Sequence, residues 1–217
     1  MARRPLTKPR KTASQERSRL TVNALVESTI RVLVKEGYDR ASTNKIAAVA
    51  GVSIGSLYQY FPSKEALVAA VIDRHTSELS LTIRDALAQV AALPIETAAR
   101  QLVVAAIEAH SIDPNLHRVL AEQVPRTGRL EHIDAVQRDA SRFLRSYLEV
   151  HKDEVTVLDL DLAAFICVTT VEALAHAAVL HHPDILTGEK VGTFVDEVTR
   201  LVVQFLNGGA SQMPALR

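Results

Sequence analysis

The 217-residue chain is 47% hydrophobic, which excludes a disordered polypeptide and leaves material for one or two cored domains. Its one cysteine, Cys167, excludes an internal disulfide framework and fits a reducing, cytoplasmic setting. The net charge of zero conceals a division: residues 1–64 hold twelve Lys and Arg against four Asp and Glu, and residues 65–217 hold thirteen against twenty-one. The basic third suits a polyanion, and the acidic remainder is repelled by the same polyanion.

Residues 1–13 read as a flexible basic arm without the apolar run of a secretory signal; Arg3, Arg4, Lys8, Arg10 and Lys11 suit either contact in a minor groove or nonspecific attraction by a disordered tail. Val22, Leu25, Val26, Thr29 and Leu33 repeat at helical spacing and Gly37 stops that helix. Ser42 and Thr43 are hydroxyl caps for a second helix, ended by Gly51. Ser53 caps a third helix, ended before Pro62, and Ser63 caps a fourth running toward Leu87, with Glu65 in its first turn. Leu102, Ala105, Ala106 and Ala109 mark the next, and the pair Asp113-Pro114 opens another that Pro125 and Gly128 break. Amphipathic segments follow at about Leu130 to Val150, Asp159 to His182, and Thr187 to Phe205, before Gly208 and a tail over 208–217 that reads as disordered. No alternating strand pattern appears, so the expected fold class is all-α with about nine helices. The expected division is a helix-turn-helix domain over 14–62 and a helical effector-binding and dimerisation domain over 63–207.

The segment that carries chemistry is Ser42 to Leu67. Ala47 is small where two helices approach, Gly51 takes the left-handed turn between them, and Ile46, Val52 and Leu57 supply a shared core. The helix from about Ser53 to Tyr60 is short enough to enter a major groove end-on. On it, Gly55 permits close backbone approach, and Ile54, Ser56 and Gln59 project outward. Gln59 can read adenine through two hydrogen bonds and Ile54 can pack on a thymine methyl. The hydroxyls of Tyr58 and Tyr60, the Lys64 ammonium, and Thr43 with Asn44 beside it suit phosphate contacts. The tyrosines are equally open to partial burial, and Phe61 reads as core.

These residues carry a resemblance. Gly37-Tyr38, Thr43, Ile46-Ala47, Ala50-Gly51-Val52-Ser53, Gly55, Leu57-Tyr58, Tyr60-Phe61, Ser63-Lys64-Glu65 and Leu67 make the stretch from Leu25 to Leu67 resemble the N-terminal domain of the tetracycline-repressor (TetR) family of bacterial regulators. A common variant of that pattern has His where this chain has Tyr60. The resemblance implies that Thr43, Ser53, Gly55, Ser56, Tyr58, Gln59, Tyr60 and Lys64 line a DNA surface. It also implies a homodimer through the last two long helices, a small-molecule effector site in the C-terminal domain, and repression of a palindromic double-stranded operator.

The residues beyond the motif agree with pairing. Leu162 to Leu180 has membrane-spanning length, but Thr169, Thr170, Glu172 and His176 interrupt it, so it reads as a buried or interface helix and no membrane is expected. Phe194, Val198, Leu201 and Phe205 form a second apolar stripe. For the effector, Phe143 and Tyr147 share a helix face, and Phe165, Thr169, Glu172 and His176 follow one another at steps of three or four. Glu172 and His176 either orient a ligand or bond each other or a partner chain. His176, His181 and His182 do not share a helical stripe, so no metal is expected, and no cofactor either. With no nucleotide-binding glycine loop, zinc-protease motif or nucleophile elbow, the chain is expected not to be an enzyme. The rival to a ligand-responsive repressor is a constitutive DNA-binding protein whose C-terminal domain only dimerises.

Overall fold

A computed structural model describes residues 16–124 and 130–208, so the basic arm and the end of the C-terminal tail lie outside the described residues. Among the described residues are nine α-helices and no strand: α1 (Glu16–Glu36), α2 (Thr43–Ala50), α3 (Ile54–Tyr60), α4 (Lys64–Val90), α5 (Ile95–His110), α6 (Pro114–Glu122), α7 (Leu130–Val150), α8 (Leu160–His181) and α9 (Lys190–Leu206). Most starts follow local chemistry. The Asp159 carboxylate accepts the Leu162 N–H at 2.9 Å to begin α8, Pro114 opens α6, and the Ser63 hydroxyl accepts the Ala66 N–H at 3.2 Å to begin α4. The start of α9 falls later than Thr187, because Thr187 is extended at the end of a short 3-10 turn over Pro183–Leu186 and Gly188 follows with left-handed backbone, φ 57°.

The helices form two compact units. The first takes residues through Ser77 together with Asn115–Ile133; the second takes Glu78–Pro114 and Asp134 onward. In the first unit, Leu25, Leu33, Ile46, Leu57, Phe61, Leu67 and Val71 are wholly buried or nearly so. Leu116, Val119 and Leu120 of α6 belong to the same core. The i, i+3, i+4 stripe of α6 therefore completes an apolar interior begun by α1 to α4. Two buried imidazoles join α4 and α6, with His75 Nε2 and His117 Nδ1 2.9 Å apart.

In the second unit α5 packs on α8 and α9. Val90, Ile95, Ala98, Tyr147, Leu148, Ala163, Cys167, Val202 and Leu206 make its core. α8 is 22 residues long with a mean hydropathy of 1.8, long and apolar enough to cross a membrane on those criteria alone. Its alanine-rich side is what packs: Ala163, Ala164, Ala175 and Ala178 are buried, whereas Leu162 and Phe165 are about half exposed. Burial also pushes the Cys167 thiol up to about 12, so it is a packed hydrophobe and not a thiolate.

Candidate nucleic-acid interface

The α2–turn–α3 element is fixed by four local features. Ser42 holds an extended backbone and its hydroxyl accepts the Lys45 N–H at 3.4 Å. Gly51 adopts φ 67°, ψ 28°, the left-handed region, which lets the Val52 N–H reach back to the Ala47 carbonyl at 3.0 Å. Ser53 then caps α3, its hydroxyl accepting the Ser56 N–H at 3.1 Å. Leu57 and Phe61 anchor α3 from below, both essentially without exposure. A seven-residue helix has no stability of its own, so the two caps and these two side chains are what hold it.

With Leu57 turned inward, the opposite face of α3 points to solvent. Ser53, Ile54, Gly55, Tyr58 and Gln59 are exposed, as is Asn44 on α2. Ser56 is half-buried, its hydroxyl 2.9 Å from that of Ser53. Thr43 Oγ1 and Tyr58 Oη lie 3.1 Å apart, which joins the start of α2 to the exposed face of α3. Tyr60 differs from its neighbours: its ring packs against the core and its hydroxyl donates to Ser18 Oγ at 3.3 Å, so it braces α3 against α1. Lys64 is half-buried; its ammonium sits 4.0 Å from the centre of the Tyr38 ring and donates to the Tyr38 carbonyl at 3.0 Å.

A second polar cluster, absent from the sequence reading, surrounds the turn after α1. Lys45 on α2 pairs with Glu36 and donates to the Arg40 carbonyl at 3.1 Å, and Arg40 Nε donates to the Glu36 carbonyl at 2.9 Å. The Lys45 hydrogen bond holds the Glu36 carboxyl below its ordinary value. The Tyr38 phenol is pushed up, first by burial and then by Glu65 and Asp39. From the turn that follows α6, Gln123 Oε1 accepts the Tyr38 N–H at 3.1 Å. That contact joins residues 85 positions apart; no local spacing signals it.

The effector candidates lie in the second unit. Tyr147 is a core residue: its hydroxyl donates to the Leu93 carbonyl, its ring stacks on His151 at 4.3 Å, and burial lifts its phenol to about 12. Phe143 packs against the same core. On α8, Phe165 is about half exposed and lines an open groove of roughly 390 Å³ with Gln137, Arg138, Ser141, Arg142 and Asp161. Thr169 accepts from Gln137 Nε2 at 3.1 Å. Burial raises the Glu172 carboxyl, and the His176 ring meets the His110 ring edge-on at 5.5 Å. His181 and His182 are exposed. The two aromatics of α7 are thus taken up by packing, while Phe165 lines the groove and Thr169 bonds Gln137, another of its lining residues.

The geometry of residues 42–61 defines a helix-turn-helix with a solvent-facing second helix. Comparison with known proteins agrees. Residues 25–71 match the family described as bacterial regulatory proteins, tetR family, and residues 94–206 match the tetracyclin repressor-like C-terminal domain. The chain belongs to the TetR family of bacterial regulators, DNA-binding transcriptional regulators by class. Among curated relatives it is similar to the HTH-type transcriptional activator FasR of Mycolicibacterium smegmatis, 40% identical over 85 residues, which are 39% of this chain and 36% of that one. It is also similar to the A-factor receptor protein of Streptomyces griseus, 38% identical over 65 residues, 30% of this chain and 24% of that one. The chain spans about a quarter to two-fifths of the length of the curated relatives it first matches. Among solved structures, the fatty acid degradation regulator FadR of Bacillus halodurans shares the fold at a TM-score of 0.63 and 21% identity, covering 89% of this chain and 97% of that one.

Proposed function

We propose that this protein is a cytoplasmic, homodimeric transcriptional repressor that occupies a palindromic DNA operator and leaves it when a small molecule binds the helical C-terminal part. The observation that carries the reading is the two-sidedness of α3: Leu57 is wholly buried while Ile54, Gly55, Tyr58 and Gln59 face solvent. In this reading Gln59 and Ile54 meet base edges, Gly55 admits the backbone close to the duplex, and Ser53 and Ser56 approach phosphates at the helix N-terminus. Thr43, Asn44, Tyr58 and Lys64 hold the flanking phosphates, and Tyr60 acts by bracing α3. Functionally the chain divides into DNA binding over 14–62 and effector binding with dimerisation over 63–207, although α6 packs into the first unit.

Leu162 and Phe165 on α8 and Leu201 on α9, each more than half exposed, support pairing through those helices. A two-fold dimer sets the two copies of α3 to successive major grooves, roughly 34 Å apart. Phe165, Thr169, Glu172 and His176 are the effector-contacting residues we favour; Phe143 and Tyr147, packed in or against the core of the second unit, are not among them. Repression asks only for occupancy of the operator. The similarity to a relative named as an activator supports the second reading, in which the bound dimer recruits transcription. No catalytic group is assigned.

Selection of bound duplexes from a random pool tests the reading. The expected result is an inverted repeat with half-sites about one turn apart, released by a member of a small-molecule screen. Failure of any sequence to enrich refutes it, and a single unrepeated half-site refutes the dimer.

A further inference from the structure

We infer that Gln123, the residue just past α6, is a positioning residue for operator binding, acting through Tyr38 on the Lys64 ammonium. This rests on the reading of Lys64 as a phosphate contact. All three residues lie within the first compact unit.

The chain leaves α1 at Gly37, whose N–H completes the helix on the Leu33 carbonyl at 2.8 Å. Tyr38 is the first residue whose N–H lies beyond that ladder, and it donates to Gln123 Oε1 at 3.1 Å. The fit is close: a Cβ on Gly37 would stand 2.6 Å from Gln123 Oε1, so the amide oxygen rests where only a hydrogen has room. The Tyr38 carbonyl accepts two donors, the Ala41 N–H at 3.3 Å and Lys64 Nζ at 3.0 Å. One residue therefore has its N–H held by the turn after α6 and its C=O held by α4, which restrains both of its backbone dihedrals. Its ring, 4.0 Å below the ammonium, supplies the second support.

An ammonium has three donors. One is spent on Tyr38, and the lysine stem is held by ring and carbonyl together, so the remaining donors are aimed before DNA arrives. Free lysine side chains lose this freedom only on binding, at a cost in affinity. Gln123 is exposed and contributes no apolar core, so its effect runs through the Tyr38 peptide.

The test uses the full chain and the duplex enriched as described above. Binding is measured at several salt concentrations for the wild type, Gln123→Met, Lys64→Met and the double variant. Methionine keeps the length of glutamine and removes the acceptor. Gln123→Met is expected to weaken binding roughly fivefold, the worth of about one net hydrogen bond. In the Lys64→Met background it is expected to change binding by less than about twofold. Exchange of the Tyr38 amide is expected to quicken in Gln123→Met, with the thermal midpoint lowered by no more than about 2–4 °C, the share of that one hydrogen bond. Wild-type affinity in Gln123→Met overturns the inference. So does a loss that persists undiminished without Lys64, because that marks general loosening of the unit. If the wild-type chain enriches no duplex, the DNA-binding reading fails and takes this inference with it.

Discussion

Alanine placed at Gly37 and at Gly51 should cost different amounts, for a reason visible in the packing. Both glycines hold left-handed backbone, φ 80° and φ 67°. An L-residue in that region loses about 1–2 kcal/mol, and the lower entropy of the unfolded alanine chain returns about 0.4–1 kcal/mol. At Gly51 a Cβ meets nothing within 4 Å, so the strain is the whole effect, about 1 kcal/mol net. At Gly37 the same Cβ meets Gln123 Oε1 at 2.6 Å. The glutamine tip swings aside and the hydrogen bond to Tyr38 N–H is lost, adding about 1 kcal/mol. Urea unfolding read at unchanged m-value measures both. The decisive comparison repeats Gly37→Ala in a Gln123→Ala background, where the excess over Gly51→Ala should vanish. An excess that survives there, or a larger cost at Gly51, refutes the reasoning.

Other outcomes follow from single contacts. Tyr58→Phe removes the hydroxyl beside Thr43. It should weaken binding about fivefold on every duplex alike, since phosphate contacts carry no sequence information; a shifted preference in a repeated selection contradicts this. Glu154 is held below its ordinary carboxylate value of 4.5, first by the His151 hydrogen bond and then by the Ile95 N–H. Its folded form is the better acid, so its contribution is present above that ordinary value and is lost as pH falls through the lower folded one. Glu154→Gln should therefore flatten the acid limb of a stability-versus-pH curve below about pH 4.5, and an unchanged limb removes the pair from acid unfolding. Cys167, buried with its thiol near 12, should resist iodoacetamide at pH 8 while folded and react on unfolding. Rapid labelling of the native chain would show that α8 opens.

The parts of the fold legible in the sequence are those set by neighbours in the chain. Ser42, Gly51, Ser53, Asp159 and Pro114 mark helix ends through capping chemistry that acts over three or four residues, and the helices begin or end there. Leu57 inward with Gln59 outward followed from helical period and was equally readable. Contacts between distant segments were not. The stripe Leu116, Val119, Leu120 announces that α6 buries a face, yet nothing in it says that the face completes the core of α1 to α4. Tyr60 reads as a phosphate donor until Ser18 takes its hydroxyl, and Tyr147 reads as a pocket residue until Leu93 does the same. A tyrosine joins an apolar ring to a polar end, and which surface that end meets is decided by tertiary neighbours.

The place of α6 has a bearing on recombination among relatives. A graft that exchanges only the first sixty or so residues would leave Leu116, Val119 and Leu120 facing a foreign surface and would part Tyr38 from its glutamine. Hybrids that transplant α6 and the two residues after it along with the amino-terminal helices keep that interior matched, and so should a natural lineage that shuffles readers and sensors: its crossovers should come in pairs, one on either side of residues 114–124.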